Sequence, residues 1–241
     1  MGDFNQYLWV KKNLDLIKSD VIEIGSKFYT EDTYIDYRKL CHDNNLNYLG
    51  TDLTEGRNVD LVIDFTDDIS LIEKKLKAKY KTVICCSVLE HVKDIFKFAN
   101  NISSIVETGG VLLLSVPFTW EFHGYPNDYW RFTPAAIEYL FDQFTFPIEY
   151  RTISSHIPYD IEQLTDNPNH FAYSVLLKGT NKPETINAHV NLLRFVYNLL
   201  IKKKVKNERI LFHSIGTTRI FKPSCINMLG FKKGKTEVSK K

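Results

Sequence analysis

The order of apolar and amphipathic stretches along the chain predicts an α/β protein with a doubly wound, mainly parallel sheet. Three observations carry this. Thr82-Val83-Ile84-Cys85-Cys86 and Val111-Leu112-Leu113-Leu114-Ser115-Val116 are continuously apolar, as expected of parallel strands buried on both faces. Between the strand-like runs lie segments whose apolar residues recur at helical spacing. Several runs end in Gly or Asp, the punctuation expected where strands deliver ligand-binding residues to a sheet edge.

In chain order, Phe4 to Lys18 reads as a lead-in helix, with Leu8, Leu14 and Ile17 among polar residues. Val21-Ile22-Glu23-Ile24-Gly25 is the first strand. Thr33 to Asn44 reads as a helix with Tyr34, Tyr37, Leu40 and Cys41 on one face. Tyr48-Leu49-Gly50-Thr51-Asp52 and Val59 to Asp64 are the second and third strands, each ending in an acid. Ser70 to Lys79 is a basic amphipathic helix, and Thr82–Cys86 is the fourth strand. Val92, Ile95, Phe96, Ala99, Ile102 and Val106 mark a helix stopped by Gly109-Gly110, after which Val111–Val116 is the fifth strand. Thr133-Pro134 reads as an N-cap with proline at the first helical position, and Ile137, Leu140, Phe141 and Phe144 mark that helix's buried face. Further strands are expected near Ile148–Ile153 and Phe171–Lys178.

At 241 residues, 44% hydrophobic and 25% charged, the chain has the balance of a folded globular protein. No apolar run approaches the roughly 18–20 residues that span a bilayer, and the N-terminus has no signal-peptide pattern. Four cysteines are too few for a disulfide framework, so a reducing, cytoplasmic setting is expected. Residues 1–181 hold 17 Lys and Arg against 26 Asp and Glu, a net charge of −9. Residues 182–241 hold 14 against 3, a net of +11. The division predicts an acidic main domain, 1–181, and a basic C-terminal extension, 182–241. Ile186, Val190, Leu193, Tyr197 and Leu200 make part of that extension helical, closed by Lys202-Lys203-Lys204. It is expected to dock on the acidic body or on a second copy in a homodimer. Weak contact with an anionic membrane surface is the second reading, and nucleic-acid binding the least favoured.

In an open parallel sheet, ligands sit beyond the carboxyl ends of the strands. Gly25 after strand 1 lets a ligand approach the backbone. Asp52 after strand 2 can accept hydrogen bonds from both hydroxyls of a ribose. Asp64-Phe65 follows strand 3. This is a nucleoside-binding layout.

Val21-Ile22-Glu23-Ile24-Gly25-Ser26 resembles motif I of the class I S-adenosylmethionine-dependent methyltransferases, and Gly50-Thr51-Asp52-Leu53 resembles their ribose-binding motif. Ser87-Val88-Leu89-Glu90-His91-Val92 is similar to the segment after strand 4 in the branch that methylates small molecules. Gly109 to Pro117 is similar to that branch's fifth strand. The segment His123-Gly124-Tyr125-Pro126-Asn127-Asp128-Tyr129-Trp130-Arg131-Phe132-Thr133 resembles a subgroup associated with polysaccharide and secondary-metabolite pathways. The resemblance spans roughly residues 18–180 and implies a Rossmann-like, seven-stranded methyltransferase sheet with helices on both faces. It departs from the family where Lys27 and Tyr29 replace two loop glycines, which argues against a dinucleotide pyrophosphate.

What the resemblance implies is S-adenosyl-L-methionine as cofactor, leaving as S-adenosyl-L-homocysteine. Asp52, with Leu53, takes the ribose, Glu23 organises the loop and the methionine end with Gly25 and Ser26, and Lys27 faces the cofactor carboxylate. Asp64 and Phe65 bracket the adenine, and Ser87 lines the methionine end, with His91 structural. The acceptor is a small molecule, sugar-containing or a nucleotide-sugar, methylated on oxygen. His123 is the candidate general base, with Asp128 second; a histidine that merely holds its loop is the alternative. Tyr125, Tyr129 and Trp130 are candidate acceptor contacts or a local mini-core, and Arg131 either clamps an anionic acceptor or pairs with a structural acid. No ligand set with metal spacing is read; Asp67-Asp68 is an isolated acidic pair. The competing reading is a catalytically idle methyltransferase-like scaffold.

Overall fold

The computed structural model of the chain describes residues 3–29, 35–76, 78–124, 127–164 and 224–234. Helix α1 (Phe4–Lys12) opens with a capping box: the Asp3 side chain accepts from the Gln6 amide, and the Gln6 side chain accepts from the Asp3 amide. The lead-in helix stops sooner than its apolar spacing suggests. The Asn13 side chain donates to the Trp9 carbonyl at 2.8 Å, and a single 3₁₀ turn, Leu14–Leu16, carries the chain into the sheet. Then follow β1 (Val21–Ile24), α2 (Tyr37–Asp43), β2 (Tyr48–Asp52), β3 (Leu61–Val62), α3 (Ile69–Leu76), β4 (Tyr80–Cys86) and a 3₁₀ turn, Leu89–His91. Next come α4 (Ile95–Ile105), β5 (Val106–Thr119) and α5 (Pro134–Leu140), the last capped by the Thr133 hydroxyl. The short β6 (Phe144–Thr145) precedes β7 (Arg151–Ser155), β8 (Ile161–Gln163) and β9 (Ser224–Lys232).

The strands form one sheet ordered β3-β2-β1-β4-β5-β9-β7-β8, with β6 pairing β9. The first five strands are parallel, and β9 runs antiparallel between β5 and β7. Among the described residues the sheet has nine strands where seven were expected; two of them, β6 and β8, are only two and three residues long. Strand order reverses between β1 and β4, and the register Ile24↔Thr51 and Ile24↔Cys85 aligns their carboxyl ends. This alignment brings Gly25, Asp52 and Ser87 to one sheet edge. On one face, Ile84, Cys86, Val111, Leu113 and Leu229 share a core with α1 and α2 through Trp9, Val10, Tyr37 and Leu40. Val83, Cys85, Leu112 and Leu114, the alternate residues, are fully buried on the other face, where α4 packs on β5 and against α3 and α5.

Strand β9 is a finding the charge pattern hid. Residues 224–232 belong to the span read as a basic extension, yet Cys225-Ile226-Asn227-Met228-Leu229 is buried in the sheet. Buried Asn227 accepts from the Ser115 hydroxyl at 2.6 Å and donates to the Ser154 hydroxyl at 3.0 Å, which ties β9 to both neighbours. The 181/182 division, the strand expected at Phe171–Lys178 and the helix from Thr185 lie outside the described residues. All four cysteines are buried and free of disulfides. Among the described residues no helix is long and apolar enough to cross a membrane.

Candidate active site

Two cavities adjoin beyond the carboxyl ends of the parallel strands. The larger, about 990 Å³, is lined by Gly25, Lys27, Asp52, Asp64, Phe65 and Ser87 among others. The smaller, about 550 Å³, lies over the end of β5 and the start of β9, where Gln6, Glu90, Trp120 and His123 line it. Tyr29, Ser87 and His91 line both cavities and mark where they meet. Ser87 itself holds a left-handed backbone, φ 54°, with its amide donating to the Ser115 carbonyl and its hydroxyl accepting from Gln6 at 2.9 Å. A non-glycine residue held in that region at a cleft is a common sign of a functional position.

In the larger cavity the loop after β1 folds back on β2. The Gly25 and Ser26 amides both donate to the Thr51 carbonyl at 2.9 Å. Asp52 accepts from the Lys27 and Thr54 amides, each at 3.3 Å, so its carboxylate keeps acceptor capacity toward the cavity. Lys27 reaches across to donate to the Thr54 hydroxyl at 2.8 Å and lies over the Tyr29 ring. Asp64 turns one oxygen to the Thr66 amide and hydroxyl, and Phe65, buried against Phe98, forms the wall.

Gly25 has φ 79°, and a Cβ there would stand 2.4 Å from Val88 Cγ2. Gly25→Ala is expected to cost about 1–3 kcal/mol of stability, through backbone strain and the clash together. Adding Val88→Ala should recover the steric part only. Thermal melts of the three proteins check this; an undiminished melting temperature in Gly25→Ala would contradict the loop geometry.

Two of the residues expected at the cofactor stand behind the cavity. Ser26 turns its hydroxyl to the Asn58 carbonyl at 2.8 Å. Buried Glu23 accepts a hydrogen bond from the Tyr48 hydroxyl, and burial lifts its carboxyl to about 7. Both therefore fix the loop from below. Because the folded-state value lies above the ordinary 4.5, the folded protein retains a proton that the unfolded chain releases. The stabilisation is complete below pH 4.5 and is lost as pH rises through about 7. Glu23→Gln keeps an acceptor for Tyr48 and removes the titration. Denaturation at pH 5 and pH 8 should show wild type losing up to about 3 kcal/mol relative to the variant; parallel pH profiles would contradict the assignment.

In the smaller cavity, the loop after β5 is held by its own charges. Arg131 grips both oxygens of Asp128, at 2.5 and 2.7 Å, and also donates to the Trp120 and Glu121 carbonyls. The Asp128 side chain is buried, and the Arg131 hydrogen bonds hold its carboxyl down to about 2. So held, Asp128 is poorly suited to take a proton near neutrality. Of the two readings of Arg131, the structure contains the pairing with a structural acid. Tyr129 is half-exposed, and its amide donates to the Glu90 carbonyl. Trp130 lines the larger cavity, its indole donating to the Val92 carbonyl at 2.8 Å. Tyr125 lies outside the described residues.

His123 lines the smaller cavity, with Nδ1 3.2 Å from an Asp128 oxygen and 3.2 Å from the Glu121 carbonyl. Both neighbours accept, so Nδ1 carries the proton and Nε2 keeps a lone pair. The sequence reading missed Asp3, Gln6 and Glu90 as lining residues. Asp3-x-x-Gln6 was legible as a capping box, but its position over the cavity follows only from tertiary packing of α1.

No family model and no curated protein matches the chain at the sequence level. Solved structures do match. A SAM-dependent methyltransferase from Archaeoglobus fulgidus aligns with TM-score 0.52 at 12% identity, over 94% of this chain and 92% of that one. An S-adenosylmethionine-dependent methyltransferase from Clostridium acetobutylicum aligns at 0.49 and 10% identity, over 96% and 93%. Haemonchus contortus phosphoethanolamine N-methyltransferase 2, in complex with S-adenosyl-L-methionine, aligns at 0.46 and 13%, over 96% of this chain and 53% of that one. The fold is that of the S-adenosylmethionine-dependent methyltransferases.

Proposed function

We propose that the protein is an S-adenosylmethionine-dependent methyltransferase that methylates a hydroxyl of a small, polar, sugar-like acceptor. The observation that carries the reading is the pair of adjoining cavities that meet at Ser87 and His91. The larger cavity fits the cofactor by its donor set: an acceptor carboxylate at Asp52 for a ribose, Asp64 and an aromatic wall for a purine, and close backbone approach at Gly25. The smaller cavity pairs aromatic Trp120 and Tyr29 with polar Gln6, Glu90 and His123, a lining suited to the C–H faces and hydroxyls of a sugar.

S-adenosylmethionine supplies an electrophilic methyl group with a good leaving group. The chain's own work is therefore to align donor and acceptor and to take up the acceptor's proton. Tyr29, Ser87 and His91 stand where both ligands would touch. His123 offers Nε2, with Asp128 fixing the ring through Nδ1. A radiolabelled-methyl assay over hydroxylated acceptors tests this: base-stable labelled product is expected with a sugar or nucleotide-sugar. Tight cofactor binding with no transfer to any acceptor would favour the idle scaffold.

A further inference from the structure

The 3₁₀ turn after β4 and the loop after β5 bring Glu90, His91 and His123 together, with one donor atom from each lying within 4.8 Å of the others. From Glu90 and His91 to His123 the sequence separation is more than thirty residues, so no spacing motif shows the cluster.

Each member is prepared for a ligand. Glu90 is buried, 1% exposed, and its Oε2 has no hydrogen-bond partner among the described residues while it lines the smaller cavity. A buried carboxylate oxygen left unsatisfied is costly and calls for an explanation. The Nδ1 of His91 lies 2.6 Å from the Asn127 carbonyl, which only accepts, so Nδ1 holds the proton and Nε2 the lone pair. That Nε2 stands 3.9 Å from Glu90 Oε1. His123 repeats the arrangement with Asp128 and the Glu121 carbonyl. Imidazoles whose second nitrogen donates to a carbonyl or carboxylate are the usual form of metal-ligating histidine. The two rings meet edge to face with centroids 5.1 Å apart.

We infer that Glu90, His91 and His123 form a binding site for one divalent transition-metal cation in the wall of the smaller cavity. Two imidazoles and a carboxylate suit zinc with an open coordination position; from their present separations the donor atoms would have to draw in to roughly 2 Å from the ion. The open position would face the acceptor. With the cation bound, His123 Nε2 is a ligand and takes no proton: the cation would anchor the acceptor oxygen and make its hydroxyl more acidic, its proton leaving to solvent, and His123 would act as the base only in the metal-free protein. That role, unlike the binding itself, rests on the function proposed above.

Zinc alone is the probe. Equilibrium dialysis of the metal-stripped full chain should give one Zn²⁺ per chain. Glu90→Gln and His123→Ala should each weaken binding about tenfold or more, while His42→Ala, at an exposed position of α2, leaves it unchanged. X-ray absorption at the zinc edge of wild type should show two imidazoles and one carboxylate, a readout independent of whether the variants fold. Absence of stoichiometric zinc, unchanged affinity in folded variants, or a zinc shell without imidazole would overturn the site. S-adenosylhomocysteine titration in parallel separates the two readings: zinc without cofactor binding sinks the proposed function only, and cofactor without zinc binding sinks the metal site only.

Discussion

Replacing His123 by alanine is expected to lower methyl-transfer turnover by about 10²–10⁴-fold, the usual cost of losing the group that takes up the acceptor's proton. The tautomer of His123 decides this. Asp128 and the Glu121 carbonyl both face Nδ1, which leaves the Nε2 lone pair for the acceptor side. The loss should fall on turnover and acceptor use, because His123 lines the smaller cavity and the contacts expected of the cofactor line the larger one. S-adenosylhomocysteine affinity should therefore stay close to wild type. Steady-state kinetics with both substrates saturating checks this. Near-wild-type turnover would remove His123 from the chemistry, and collapse of cofactor affinity would make the loop a structural lid.

Asp52→Ala carries the second large effect. The carboxylate ends β2 beside Gly25 and is held by two long amide contacts from Lys27 and Thr54, which leave lone pairs for a ribose. Hydrogen bonds to a charged acceptor are worth roughly 1.5–3 kcal/mol, so affinity for S-adenosylhomocysteine should fall about tenfold or more. The residue lies at the sheet edge and not in the core, so the melting temperature should change little. An unchanged affinity in the folded variant would move the ribose elsewhere.

The convergence of the strand-end residues was legible because strand register is. Once β1, β2 and β4 are recognised as parallel, the residues after each must meet at one edge, and Gly25, Asp52 and Ser87 do. Asp64 and Phe65 follow by the same rule from β3. The acceptor side was less legible because its roles depend on burial and partners. Arg131 reads equally well as an anion clamp or a structural cation, and only its two bonds to Asp128 decide. Glu90 looks like an ordinary helix-start acid until its burial is known. Glu23 and Ser26 occupy motif positions but turn toward Tyr48 and Asn58, so the motif there marks loop support. Strand β9 escaped because its apolar run sits in a strongly basic stretch and its partner β5 lies about a hundred residues earlier.

The larger cavity should take the adenosyl cofactor, and calorimetric titration of the full chain with S-adenosylhomocysteine tests that most directly. One molecule should bind per chain, S-adenosylmethionine should compete for the same site, and Asp52→Ala should weaken both. A folded wild-type protein that binds neither compound would contradict the account.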